Sequence, residues 1–467
     1  MNAEYQRLEA EAREVVRQIQ ELSESFDLLS ASDHVKFEQQ MGKLGRKLTS
    51  LRQGMALIRA VNSAEMRRRE REFVKGLPKR FHSQGLRQYV VDLPGGVSVK
   101  LSVTYYHRCK CLTVMTRLGR RGLFPMLLLL GIAGRFTPQT RQRMAKAAAL
   151  LGSYEEAVEM LAEDGICISV NQLRAVTARM GQMLKRLTSE GSLTAAGNVS
   201  GRRIVVSMDG GRVRLRERRR GKTKKGRKKF AAKWREPRLF IIYAVDEEGR
   251  MDKDFPPVID GTLGSCDQLF ALLLAYLKGL NVTEATRVLF VADGATWIWR
   301  RIPKLVKDLG LKDEQVQQLI DFWHAMEYLG KIAESKSLKG IPKTRWLKVQ
   351  KKRLLRGEIG SVVEAIKTLI GPRKTKDQKT WLNYFVTHGL THRRMDYSRS
   401  KDHKMPIGSG AIESVVRRVI NLRVKSNATY WLRDNAETMI RLRAWIKAGR
   451  AEELFRQTTY ITPALAI

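Results

Sequence analysis

Apolar side chains return at helical spacing along residues 4–71: Leu8, Val15, Ile19 and Leu22, then Leu44, Leu48, Leu51, Leu57 and Ile58. One apolar stripe on a proline-poor segment predicts an amphipathic helical arm. Two uses fit that stripe. It is either a helical pair packed on the rest of the chain or a dimerising coiled coil, and Gly42, Gly45 and Gly54 weigh against the second. The period then changes to two, because Val97, Val99, Leu101, Val103 and Tyr105 alternate after the turn signal Pro94-Gly95-Gly96, predicting a β-hairpin over 89–106. The apolar run 123–133 predicts a buried core helix.

Between 153 and 187 two short amphipathic helices are joined by a turn containing Gly165, with Ser153 and Ser169 as N-caps and Glu156 spaced for a capping box. A helix-turn-helix and an ordinary helical hairpin both fit, and Arg174, Arg179, Lys185 and Arg186 favour the DNA-binding form. Beyond Gly201, apolar strands are predicted at 204–208, 239–245, 257–261, 287–292 and 316–321, with helices at 266–280 and 296–309. The order is β-β-β-α-β-α-β. A basic insert, 216–235, separates the first two strands, and its segment 222–229 reads as a solvated flexible loop that orders on DNA. Residues 325–391 are helical and basic, with breaks at Ile341-Pro342 and Gly371-Pro372. A polar loop at 398–405 precedes a helix that starts near Ala411 and carries Glu413, and a last amphipathic helix covers 427–448.

A chain of 467 residues exceeds one hydrophobic core, so two to four structural units are expected. The reading is an α+β multidomain protein. It comprises a helical arm (1–75) that is a candidate for dimerisation, a hairpin with the buried helix (76–150) and the helix-turn-helix region (151–200). An α/β core (201–324) follows, then an all-helical insertion (325–405), the Glu413 helix with a C-terminal helix (406–450) and a tail (451–467). Charge decides the partner: 87 Lys and Arg against 47 Asp and Glu leave +40. Such a chain selects a polyanion, nucleic acid before an anionic membrane or a ribosome. The run at 123–133 is too short to span a bilayer, and the charged N-terminus does not read as a signal peptide. Four cysteines make no disulfide framework, which fits a reducing cytoplasm and association with the nucleoid. His107, Cys109 and Cys111 suggest a zinc knuckle, but no second ligand pair is visible and zinc is not expected.

The acidic residues of so basic a chain are informative. Asp209 follows Val-Val-Ser-Met and Asp293 follows Leu-Phe-Val-Ala, so each ends an apolar strand. Alone, such an Asp-Gly is a turn, and Glu413 near a helix start only serves the helix dipole. Together, two buried strand-end carboxylates on neighbouring strands repel unless a cation compensates them. Oxygen ligands select Mg2+ or Mn2+, and a pair of ions suits phosphoryl transfer. Glycine after each aspartate leaves room for backbone or substrate phosphate.

The strings SMDGGRVR, VADGATWIW, DFWHAMEYLGK and MPIGSGAIESVVRRVINLR resemble the signature blocks of ISKra-type insertion-sequence transposases, within the DDE transposase class, over about residues 150 to 450. The resemblance implies an RNase H-like core in which Asp209, Asp293 and Glu413 are the catalytic, metal-binding triad for two ions. It also implies the helical insertion, and excision followed by strand transfer. Asp321 and His324 resemble the supporting pair after the fifth strand in related Mutator-like and hAT-like transposases, where His324 orients a ligand or contacts the scissile phosphate; a helix N-cap with a second-turn histidine is the plainer reading. Lys224, Lys225 and Arg227 in the insert, and Arg417, Arg418, Arg423 and Lys425 after Glu413, fit backbone phosphates. Trp297 and Trp299 are candidates for stacking on an unpaired base, with at least one expected in the core. Partners are then element ends and target DNA, bound by a homo-oligomer. The alternatives are a structure-specific nuclease or resolvase of the same fold, or a catalytically silent DNA-binding protein.

Overall fold

The computed structural model describes residues 3–27, 29–77, 81–108, 122–222, 226, 228–336, 338–426 and 429–459. Cys109, Cys111, Lys224, Lys225, Arg227 and the tail from 460 lie outside them. The chain forms two compact units, one running to Met183 and taking in the segment from Leu454, the other Leu184–Glu453.

In the first unit, α1 (Ala3–Ser25), α2 (Ala31–Asn62) and α3 (Ala64–Lys75) precede a hairpin of β1 (Phe81–Leu93) and β2 (Val97–Arg108). The helical stripe is consumed inside the chain: Leu8, Ala12 and Val15 of α1 and Leu51, Met55 and Ile58 of α2 share one core with Val91, Val99, Leu101 and Val103 of the hairpin. The strand β1 begins at Phe81, before the predicted 89. Its first residues are held by pairing to β2 and are exposed, so no alternation announces them. The turn docks through the Gly95 and Gly96 N–H groups, which donate to the carbonyls of Asp164 and Gly165 at 3.0 Å each.

The run 123–133 is not one helix. It forms β3 (Gly122–Leu123) and a five-residue α4 (Pro125–Leu129), because Pro125 fits only a helix start and Gly131 turns the chain at φ +66. Then α5 (Pro138–Leu150), α6 (Tyr154–Glu163) and α7 (Val170–Ser189) pack around Met144, Ala148, Ala157, Leu161, Leu173 and Val176. The capping box is at Ser169 with Gln172, whose groups bond reciprocally, whereas Glu156 accepts from Gly152 N–H instead. Among the described residues no helix is long and apolar enough to cross a membrane.

The second unit is built on a mixed sheet. Its strands are β4 (Arg203–Gly210), β7 (Arg238–Val245), β8 (Val258–Thr262), β9 (Arg287–Ala292) and β10 (Val316–Ile320), in the order β10-β9-β4-β7-β8. The strands β10, β9 and β4 run parallel, and β7 is antiparallel to both neighbours. Ile204–Met208 and Leu239–Val245 are buried without alternation, as central strands covered on both faces require. The basic insert carries two strands that its charge did not announce: β5 (Val213–Lys222) and β6 (Lys228–Arg235) form a separate antiparallel hairpin, and of the segment read as a loop, residues 223–225 and 227 lie outside the described residues.

Helix α8 (Cys266–Gly279) follows the third strand of the sheet. The predicted helix 296–309 is split into α9 (Thr296–Trp299) and α10 (Ile302–Leu309), since Pro303 lacks an N–H and would clash with the Trp299 carbonyl of a continuous helix. The insertion comprises α11 (Phe322–Ser335), α12 (Gly340–Leu355), α13 (Ile359–Ile370), α14 (Lys376–Phe385), a π-helical stretch Val386–Thr391 and α15 (Tyr397–Asp402). Pro342 breaks nothing, because it falls in the first turn of α12, where N–H groups need no helical partner. Then α16 (Gly410–Val416) passes into a π-helical turn, Arg417–Asn421, and α17 (Arg433–Lys447) and α18 (Ala451–Thr459) follow. The last long helix starts at 433 rather than 427.

Helices α8, α16 and α17 pack against the sheet. A buried ion pair fixes α17: Arg441 Nε and Nη2 donate to the two Asp260 oxygens at 3.0 and 2.7 Å, and the Tyr276 hydroxyl adds a third bond at 2.8 Å.

Candidate active site at the carboxyl ends of three parallel strands

Register builds the site. Ser207 of β4 pairs with Val291 of β9, and Ile320 of β10 with Ala292. Extended to the strand ends, the same register sets Asp209, Asp293 and Asp321 in one row at the carboxyl ends of adjacent parallel strands, where open α/β sheets commonly bind ligands. The Ser207 hydroxyl donates to the Val291 carbonyl at 2.6 Å, and the Asp321 N–H to the Ala292 carbonyl at 2.8 Å, locking that row.

The fourth carboxylate arrives from α16, which packs on β4 and β7. Glu413 lies in its first turn, with its carboxylate exposed. One ligand atom each from Asp321, His324 and Glu413 lie within 4.8 Å of one another. Asp209 feels Asp293, His324 and Glu413. Burial pushes its carboxyl up to about 6, the Asp293 and Glu413 charges add to that, and the Gly210 N–H and His324 oppose it. A carboxylate held this high by burial and like charge is what a cation would relieve, so the donor set fits a hard divalent ion. The Asp293 carboxylate accepts from Ala295 N–H at 2.9 Å.

Asp321 is fully buried, and each of its oxygens is engaged. Oδ1 accepts from the His324 backbone N–H at 2.7 Å and lies 3.3 Å from the ring Nδ1, while Oδ2 accepts from the Ser409 N–H. The pairing holds the Asp321 carboxyl down at about 2 despite burial, and raises His324 to about 9. A buried carboxylate on Nδ1 fixes the ring and leaves Nε2 for the site. Asp321 is thus both the N-cap of α11 and the residue that orients His324. Gly408 lets the loop approach closely, because a Cβ there would lie 3.2 Å from the Trp323 ring and 3.4 Å from Asp321 Oδ2.

Several sequence expectations change here. The space beside Gly210, Gly211 and Gly294 belongs to the protein: a Cβ would meet Glu236 at 2.4 Å, Ile420 at 2.5 Å and the Tyr384 ring at 2.3 Å, respectively. Trp299 is core, and its indole N–H donates to the Asp293 carbonyl at 2.6 Å. Trp297 is half-buried between Arg238 and Phe270. Arg423 leaves the phosphate-binding set, since it is 5% exposed with its guanidinium over the Trp431 ring. The π-helical turn after Val416 breaks the face that Arg417, Arg418 and Arg423 would have shared. Arg417 and Lys425 are exposed and Arg418 is half-buried. On α7, Lys185 and Arg179 are exposed, Arg174 lies 3.9 Å from Glu155, and Arg186 is paired with Glu190 at 2.9 Å. Arg174 and Arg179 belong to the first unit, not to the unit of the carboxylates.

Sequence reasoning missed Tyr384 and Arg394. Tyr384 packs on Gly294 beside Asp293, and the Arg394 guanidinium lies 4.7 Å over the Trp299 ring. Both come from the helical insertion, where no local pattern marks them.

No protein-family profile matches this chain, and no curated protein matches it. Among solved structures, the Drosophila P element transposase strand transfer complex covers 68% of this chain and 79% of its own, at 12% identity and a TM-score of 0.25. At those values neither fold nor function carries over.

Proposed function

We propose that this protein is a DNA transposase of the DDE class, with an RNase H-like core and ISKra-type signature blocks. In this reading Asp209, Asp293 and Glu413 hold two Mg2+ or Mn2+ ions. The observation that carries it is the strand-end carboxylate cluster, in which Asp209 is pushed up to about 6 beside Asp293 and Glu413 in a chain of net charge +40. Divalent ions bound there supply Lewis acidity toward a phosphodiester. His324, charged and held by Asp321, donates to a phosphate oxygen. Arg417, Arg418, Lys425, Lys185 and the basic hairpin hold the DNA backbone, and α7 presents Arg174 and Arg179 to element ends. Water first breaks the P–O bond at an element end and frees a 3′ hydroxyl. That hydroxyl then attacks a target phosphodiester, so one P–O bond forms as another breaks. The protein acts as a homo-oligomer on paired ends.

The test is purified protein with DNA carrying the sequences that flank its own gene, with Mg2+, read to the nucleotide. Asp209→Ala, Asp293→Ala and Glu413→Ala should each abolish cleavage and leave DNA affinity largely intact. Cleavage at the wild-type rate by any one variant removes that residue from the site. Cleavage without strand joining would convert the reading to a hydrolytic nuclease of the same fold.

A further inference from the structure

The basic insert turns a particular face outward. In the β5–β6 hairpin Arg214 pairs with Trp234, Arg216 with Ala232 and Arg218 with Phe230. Directly opposed residues share a face, so three arginines and two aromatic rings lie on one side of the ribbon. The other side carries buried Val213 and Leu215, and Glu217 in ion pairs with Lys233 at 2.7 Å and Arg235 at 2.5 Å. The hairpin, 213–235, holds thirteen Lys and Arg against this single acid. On the arginine face no carboxylate neutralises the charge: among the described residues, Arg214, Arg216 and Arg218 take part in no ion pair.

The rings on that face are partly exposed, each with an arginine guanidinium over one side. Trp234 is 52% exposed and Phe230 40%, and Tyr430 joins them at 37%, its ring centroid 5.5 Å from Phe230. Arg216 lies 4.3 Å over Phe230, and Arg214 lies between Trp234 at 5.2 Å and Tyr430 at 5.0 Å. The platform is held in place through the backbone. Arg216 N–H donates to the Trp431 carbonyl at 2.8 Å and Trp431 N–H to the Arg214 carbonyl at 3.0 Å, while the Trp431 indole is buried and donates to the Val424 carbonyl.

A solvated basic ribbon needs no exposed rings, and a greasy contact surface would not interleave them with unpaired arginines. Rings for bases, with guanidinium groups for the intervening phosphates, are the two halves of single-strand recognition. A duplex would satisfy the charge and leave the rings bare, because its base faces are already stacked. We infer that the Arg214, Arg216, Arg218, Phe230, Trp234 and Tyr430 face of the hairpin binds an unpaired stretch of DNA by stacking its bases. This goes beyond the catalytic reading and does not depend on it, because binding is measured without metal.

The experiment uses the full chain in EDTA and fluorescence anisotropy, with a labelled thymine oligonucleotide of about 16 nucleotides, its duplex counterpart and a uridine oligonucleotide. Phe230→Ala with Trp234→Ala should weaken single-strand binding about 30-fold, from two lost stacking contacts, and change duplex binding far less. Trp234→Phe keeps a ring and should bind like wild type. Arg216→Gln with Arg218→Gln should flatten the salt dependence by about 0.7 per contact. Wild-type single-strand affinity in the double alanine variant overturns the assignment. So does an equal loss on single strand and duplex, or a Trp234→Phe loss as large as that of the alanine. Tighter binding of the uridine strand than the thymine strand would reassign the face to RNA and overturn the DNA proposal.

Discussion

Asp321→Asn separates the charge of the buried carboxylate from its shape. In the wild type both oxygens accept N–H groups, from His324 and from Ser409, and the pairing raises His324 to about 9. At pH 7.5 that histidine is protonated roughly thirty to one, whereas at its ordinary 6.5 it would be neutral about ten to one. Asparagine has one acceptor oxygen, so one backbone N–H loses its partner, at a cost of about 1–3 kcal/mol. The sign of the pH dependence follows from both ends of one interaction. For His324, raised in the folded state, the stabilisation is complete below 6.5 and is lost as pH rises through 9. For Asp321, held at about 2, it is present above 3.8 and is lost as pH falls through 2. Histidine labelled with 13C at Cε1, titrated in EDTA and assigned through His324→Gln, reads the ring directly. The expected wild-type midpoint is near 9, falling toward 6.5 in Asp321→Asn. An unchanged midpoint in the variant would refute the claim that Asp321 sets the charge of His324.

Asp260→Ala leaves Arg441 charged and unpaired in a site where the two side chains are 0% and 6% exposed; it should destabilise the protein by about 3–5 kcal/mol in chemical denaturation, and a change under about 1 kcal/mol would discount the staple. Asp209 has a raised carboxyl, so its contribution is favourable below 3.8 and is lost as pH rises through about 6. Asp209→Asn should therefore raise the melting temperature in EDTA at pH 7.5 and remove much of the stabilisation that Mg2+ confers; a lower melting temperature in EDTA would contradict the repulsion.

Much of the second unit was legible because its signals are local. An apolar run ending in Asp-Gly marks a covered strand with a carboxylate at its tip, whereas the neighbouring of the Asp209 and Asp293 strands was expected from the RNase H topology that the resemblance implies. Local patterns also misled. The alternation of Val213, Arg214, Leu215 and Arg216 was hidden under the charge density of the insert, and Pro303 split a helix that apolar periodicity ran together. Arg423 looked like a phosphate contact because composition cannot tell an exposed arginine from one laid over Trp431. Glu413 was visible only through a motif, since nothing in its own surroundings says which sheet its helix will meet.

By itself, then, the sequence determined which segments bury apolar surface, where carboxylates end strands, and a net charge of +40 that favours a polyanionic partner. These depend on spacing and summed charge, both properties of the chain. Only the tertiary structure decided that β4, β9 and β10 pair in one register, that Asp321 spends both oxygens on His324 and Ser409, and that the aromatic rings of the hairpin stay partly exposed among arginines. Those outcomes depend on distances of a few ångström between residues far apart in the chain, across which hydrogen bonds and charge repulsion act and spacing along the sequence carries no information.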